Sequence, residues 1–456
     1  MNIPEAPGEL PEKGFPHEDI LRVLEEKKSG DANWKDGKTW SLVYHLGENH
    51  TAFVKRAFGE YFSENALNPM AFRSLKRMES DVVRMTSSFL HGGSGAVGVM
   101  TSGGTESCLL AVKTYRDLAR AKRPWIRKPE MVVADSVHVA WEKGAKYFDV
   151  KPVHVSLDSS FRMDVDAVKK RINRNTVLVV ASAPDYPHGM VDPVEEIGAI
   201  AAARGIPLHV DSCLGGFLLP FAEMLGYPVP VFDFRVPGVT SISADVHKYG
   251  FAAKGASVLV YRNMDYLEHQ FFVHGDWPGG VFASPGLLGT RPGGAIAAAW
   301  ASMMALGKEG YLSNAKTVME TTKKLLDGIS AIPGLGPVGA PPGSVFAYKS
   351  VKDEKRSPDI YLVGDRLEAK GWHIDRLQKP EALHAMVTPR HAAIAGAFLS
   401  DLRDAAGEAL ASPELAKKGN AAMYGMIARV PLRSVIKGEV LKMMKSMYGK
   451  DGTIPG

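Results

Sequence analysis

The chain reads as an α/β protein: a mostly parallel central sheet covered by helices, a smaller α+β region at the C-terminal end, and an N-terminal segment. Three observations predict this. Between about residues 90 and 290, short β-branched runs alternate with amphipathic helical stretches, the order that builds a parallel sheet covered on both faces. The 456 residues are 45% hydrophobic, enough for a large core spread over two or three domains. A Gly/Pro-rich stretch, IPGLGPVGAPPGS at 332–344, precedes a different pattern containing SVFAYKS and LHAMV.

Taken in order, the N-terminal region to about Glu79 mixes aromatic and polar residues and ends in the helical LKRMESDVVRMTSSFL. Strands are expected at MVVADS, PVHVSL, TVLVVASAP, PLHVDS, SISADV and ASVLVYR. Helices are expected between them at 105–122, 164–173 and 194–205, where apolar residues recur at helical spacing. A long helical stretch follows residue 306. The expected division is therefore 1–80, 81–305 and 306–456. No internal repeat or low-complexity tract interrupts it.

Composition narrows the function classes. Fifty-five basic and fifty acidic residues leave a net charge of +5, and they are dispersed along the chain. No dense basic run of the kind that binds nucleic acid is present. The two cysteines, Cys108 and Cys213, are far apart, so a disulfide framework is not expected and a reducing cytoplasm is the default. The acidic, proline-rich start, MNIPEAPGELPEKGFP, is no signal peptide. The longest apolar run, Ala295 to Leu306, falls short of the roughly 20 residues a membrane span needs. A soluble protein without a transmembrane segment is expected.

In a parallel α/β sheet the site lies at the carboxyl ends of the strands. There, GVMTSGGTES at 98–107 reads as strand, glycine turn and helix. Gly103 and Gly104 allow backbone N–H groups to face an anion, and Thr105 and Ser107 open a helix whose N-terminus favours negative charge. A plain helix cap explains the same residues equally well. Asp211 ends PLHVDS with His209 on the same sheet face. It could hold a metal, keep a heterocyclic nitrogen protonated, or merely form a turn. Lys248 follows SISADV and His247. Burial there would depress its pKa and leave an amine able to form a Schiff base; a lysine snorkelling to the surface is the plainer reading. Together the three motifs fit pyridoxal 5′-phosphate, with the 103–105 turn on its phosphate, Asp211 on its pyridine nitrogen and Lys248 on its aldehyde. His138 could lie over the ring, or be a core histidine. A metallohydrolase using His209, Asp211 and His247 leaves Lys248 and the glycine turn unexplained, and no metal is expected.

Longer stretches carry a more specific signal. LNPMAFRSLKRME, TSGGTESCLLA, SAPDYPHGMVDP, PLHVDSCLGGF, FDFRVPGVTSISADVHKYGFAAKGASVLVY, GGVFASPGLLGTRPGG and AAMYGMIA span roughly Tyr44 to Tyr424. In these the chain resembles the sphingosine-1-phosphate lyases, fold-type-I pyridoxal-phosphate enzymes related to the group II decarboxylases. The resemblance implies that Lys248 is the Schiff-base lysine, Asp211 the pyridinium partner and His138 the ring-stacking residue. It implies that Gly103, Gly104 and Thr105 hold the cofactor phosphate with His247 nearby. Gly289 and Thr290, where relatives commonly have Ser at the second position, would reach the site of a second subunit. That makes a homodimer with shared sites the expected assembly, with 1–80 contributing to it and to the substrate site.

For the substrate, the resemblance assigns the phosphate to Lys254, Tyr44 and Asn68. Many relatives carry His at position 68; an amide donates a hydrogen bond but carries no charge. Tyr186 and Tyr424 match tyrosines near the reacting carbons, and the catalytic base is left open among Lys254, Tyr186 and a phosphate oxygen. The implied reaction is retro-aldol cleavage of a phosphorylated long-chain base to a fatty aldehyde and phosphoethanolamine. An amino-acid decarboxylase would share Lys248, Asp211 and His138. A lipid-phosphate-binding protein that keeps the fold without turnover is the alternative from another class. The N-terminal membrane span of eukaryotic relatives is not expected.

Overall fold

The structure, a computed structural model, describes residues 9–351, 357–429 and 433–449. Its centre is a seven-stranded sheet of β1 (Val97–Thr101), β2 (Glu130–Ala134), β3 (Lys151–Val155), β4 (Thr176–Ser182), β5 (Leu208–Asp211), β6 (Val239–Ala244) and β7 (Ser257–Tyr261). Their spatial order is β1-β7-β6-β5-β4-β2-β3. Neighbours from β3 through β6 run parallel, whereas β7 is antiparallel to both β6 and β1. Every residue of β4 to β7 is buried. With both faces covered, such strands read as continuous apolar runs rather than as alternation.

The two faces feed separate cores. On β2, Met131 and Val133 join Tyr115 and Trp141 on one side, while Val132 and Ala134 join Phe217 and Phe232 on the other, as the two-residue period of a strand requires. The helices expected at 105–122, 164–173 and 194–205 are found at Gly104–Lys122, Val165–Arg171 and Val194–Ala203. Asp164 caps the second by accepting from Ala167 N at 3.1 Å.

The Ala295–Leu306 run lies in the helix Gly293–Ser330, which is interrupted at Gly307 (φ 54°, ψ −176°). The expected boundary at 305/306 falls within this helix, beside that break. Helices Glu48–Gly59 and Arg73–Phe89 pack against it from the N-terminal segment. Beyond it, a four-stranded antiparallel sheet has the order Leu335–Pro337, Val345–Ser350, Glu381–Met386, Asp375–Gln378. Helix Ile360–Ala369 covers it, capped by Asp359, which accepts from the amides of Tyr361 and Leu362. Among the described residues, no helix is long and apolar enough to cross a membrane.

Candidate active site

A cavity of about 400 Å3 opens at the carboxyl ends of the parallel strands. The turn after β1 brings Gly103, Gly104 and Thr105 to it, the loop after β2 brings His138, and the loop after β4 brings Tyr186. Asp211 comes from the end of β5, and His247 and Lys248 follow β6. Because β7 is antiparallel, the segment leading into it brings Lys254 to the same edge. Tyr44, from the N-terminal segment, completes the mouth.

The glycine turn is dictated by contact distance. Gly103 has φ +151°, and a Cβ on Gly104 would lie 2.8 Å from Asp245 Oδ2 and 2.9 Å from Cys213 Sγ. Helix Gly104–Lys122 therefore begins at the cavity wall with its amide end exposed to it, a ready site for a phosphate. Ser107 serves packing instead: it is buried and bonded to the hydroxyls of Thr101 (2.7 Å) and Ser257 (2.9 Å).

Asp211 is buried and accepts from Trp141 Nε1 at 2.9 Å and from the Cys213 amide at 3.2 Å. Burial alone would raise its pKa, but His138, the Trp141 N–H, His209 and Cys213 outweigh that and hold it below the usual carboxylate range. It is a fixed negative charge on the cavity floor. The exposed His138 ring stands 6.2 Å from that of Tyr186, and its Nδ1 accepts from Ala140 N at 3.2 Å. His209 is a core residue. Both ring nitrogens are engaged, by Ser241 at 2.8 Å and Ser243 at 3.1 Å, so it has no lone pair for a metal.

The lysines reverse one expectation. Lys248, expected to be depressed by burial, is raised: desolvation lowers it, but the Asp245 carboxylate, 3.0 Å away, prevails and keeps it cationic. The depressed amine is Lys254, lowered to about 8 by desolvation and then by the like charge of Lys248. Lys254 Nζ donates to the Leu42 carbonyl at 2.8 Å and lies 5.1 Å from the Tyr44 ring centre. Tyr44 donates to Met386 Sδ at 3.2 Å, and burial pushes its phenol up to about 12.

Four residues expected at the site lie outside this chain's own cavity. Asn68 is exposed, and its side-chain oxygen accepts from the amides of Met70 (3.1 Å) and Ala71 (3.2 Å), an Asx turn. Gly289 and Thr290 are exposed, Thr290 taking a 3.2 Å hydrogen bond from Asn65. Tyr424 lies beside Tyr361 with the Arg376 guanidinium 5.3 Å from its ring centre. Conversely, sequence reasoning missed Asp245, Trp141 and Glu106. Asp245 was visible in the string ADVHK as a carboxylate three positions before the lysine; Trp141 and Glu106 carried no signal outside the fold. Glu106 accepts from the amides of Ser102 at 2.7 Å and Leu287 at 3.0 Å.

The residues fit pyridoxal 5′-phosphate. The glycine turn at the helix start and the charged Asp211 line one cavity, and Asp245 Oδ1 is a buried acceptor with no partner. Fold and site together define a pyridoxal-phosphate-dependent enzyme of fold type I. The family profile described as the pyridoxal-dependent decarboxylase conserved domain matches residues 45–333, and pyridoxal 5′-phosphate is the cofactor.

Within that class the chain belongs to the sphingosine-1-phosphate lyase family. It is 44% identical to the sphingosine-1-phosphate lyase of Oryza sativa subsp. japonica, over 96% of this chain and 81% of that protein. Identity to sphingosine-1-phosphate lyase 1 of Mus musculus is 42%, over 98% and 78%. The solved sphingosine-1-phosphate lyase of Burkholderia pseudomallei superposes with a TM-score of 0.87 at 38% identity, covering 96% of this chain and 97% of that one.

Proposed function

We propose that the chain is a carbon–carbon lyase that cleaves sphingosine 1-phosphate and related phosphorylated long-chain bases to a long-chain aldehyde and phosphoethanolamine. The observation that carries this is a second lysine lining the cofactor cavity: Lys254 stands beside Tyr44, its Nζ 5.1 Å from the ring centre. That is one anion site more than the cofactor requires. The membership of the chain in the lyase family supports the same reading.

The cofactor, when bound, supplies an electron sink for breaking the bond between the amine-bearing and hydroxyl-bearing carbons. Lys248 is the amine placed to join it, and Asp245 is placed to receive the proton Lys248 must lose. Asp211 would hold the pyridine nitrogen protonated, and Gly103, Gly104 and Thr105 would take the cofactor phosphate. Lys254 and Tyr44 would clamp the substrate phosphate, so that binding energy remote from the reacting carbons fixes the orientation of the bond to be broken.

The finer parts of the reading rest on other features. Homodimerisation with shared sites is supported by the exposure of Gly289 and Thr290 and of the nearby apolar Phe272, Val273, Trp277 and Val281. A cytoplasmic location is supported by two free, buried thiols. The test is a product assay with a phosphorylated long-chain base. Fatty aldehyde and phosphoethanolamine are expected; carbon dioxide from an amino acid, without aldehyde, would make the chain a decarboxylase.

A further inference from the structure

Behind Tyr186 the small sheet presents two side chains that the proposed cleavage does not yet use. Asp375 and His384 face each other across strands Asp375–Gln378 and Glu381–Met386, as register partners. The Tyr186 hydroxyl donates to Asp375 Oδ2 at 3.4 Å, and its ring stacks on that of His384, with centres 4.5 Å apart and planes at 27°. His384 Nε2 lies 2.8 Å from the Tyr186 carbonyl oxygen. A carbonyl only accepts, so Nε2 carries the hydrogen and, in the neutral ring, Nδ1 carries a lone pair.

That Nδ1 is buried without a hydrogen-bond partner, in a side chain with 0% exposure, and lies 3.9 Å from Asp375 Oδ2. A buried acceptor facing a carboxylate is costly, and such groups are nearly always paired. One proton between the two would satisfy both. The pair is a proton acceptor waiting behind a tyrosine that lines the cavity.

We propose that Asp375 and His384 are positioning residues that make Tyr186 the group accepting the proton of the substrate hydroxyl. This rests on the lyase reading. The phenol O–H points at Asp375, which leaves its oxygen lone pairs free for the cavity. As the substrate O–H bond breaks, its proton bonds to Tyr186 Oη. The former phenol proton passes to Asp375 Oδ2, where His384 Nδ1 can share it. One proton leaves the substrate and one arrives at the pair, with no change in oxidation state.

The surroundings agree. Tyr186 is pushed well above the ordinary tyrosine range by burial and then by Asp375, so it rests as a phenol. Burial lowers His384, so it rests neutral. Other ionisable groups facing the assembly are Asp185 and His188 toward His384, and Tyr44, Lys248 and His138 toward Tyr186.

Asp375→Asn keeps an acceptor for the phenol but cannot take its proton. In the holoenzyme, kcat for sphingosine 1-phosphate should fall about a hundredfold, the scale of general acid–base catalysis, with KM unchanged. Asp375→Glu should restore part of it. Histidine ring-nitrogen NMR of the cofactor-free protein should show His384 protonated at Nε2 and unprotonated at Nδ1. Undiminished kcat in Asp375→Asn, or a proton resident on Nδ1, would overturn the relay. No aldehyde from the unaltered enzyme would instead sink the lyase reading on which it rests.

Discussion

Lys248 and Lys254 lie six positions apart in the sequence and are shifted in opposite directions, each with a local cause. Asp245 keeps Lys248 charged, while Lys248 in turn helps drive the proton from Lys254. Because Lys254 is lowered to about 8, it is cationic below that pH and neutral above it. In the cofactor-free protein, binding of a phosphorylated long-chain base should therefore weaken as pH rises through about 8. Lys254→Ala should remove that alkaline limb, retain bound cofactor, and lose turnover by about a hundredfold, the cost of a misplaced substrate. Lys248→Ala should abolish both activity and the borohydride-stable label that peptide mapping would otherwise place on residue 248. The grouping of Gly103, Gly104, Asp211 and Lys248 was legible because each follows or ends an apolar strand run, whereas Tyr44 and Lys254 entered only through resemblance. The ionisation of Lys248 was not legible, since it depends on a carboxylate oxygen placed 3.0 Å away by the turn.

Secondary elements were legible where burial is uniform. The runs TVLVVAS and SVLVY, buried throughout, are read correctly as strands because they are short, rich in β-branched residues and bounded by loop residues. Direction was not legible: nothing in the string SVLVY distinguishes the antiparallel β7 from the parallel strands of the sheet, yet that reversal is what brings Lys254 to the site. Packing between elements adds a buried ion pair that sequence spacing does not reveal. Glu79, on helix Arg73–Phe89, receives Arg291 Nη1 at 2.7 Å and the Met100 amide at 3.1 Å. Burial opposes the charge of Glu79, but Arg291 and the other donors lower its pKa below the ordinary carboxylate value. Its contribution is thus present at neutral pH and lost as pH falls through the depressed folded value. Arg291→Met, which leaves the buried carboxylate only Lys76 at 3.2 Å and the Met100 amide, should cost about 2 kcal/mol, the scale of a hydrogen bond to a charged group. Urea unfolding at neutral pH measures it, and the deficit should shrink in acid.

At the scale of the whole molecule, one chain contains the cradle, the lysines and the carboxylate, while Gly289, Thr290, Asn68 and Tyr424 stand apart from its cavity. A single sequence carries no periodicity that reports a second copy, which is why the assembly was legible only through resemblance. On the shared-site proposal, Lys248→Ala and Thr290→Arg subunits, each inactive alone, should regain activity when dissociated and mixed, because hybrids hold one intact site. Mixtures that stay inactive although hybrids form would count against sharing. The carboxylate of Glu106 gives this architecture a mechanical character. One side chain grips Ser102 at the rim of the phosphate cradle and Leu287 in the outer loop. Any push on that loop from outside is therefore felt by the amides that would grip the cofactor, and a loop torn free would slacken the cradle with it.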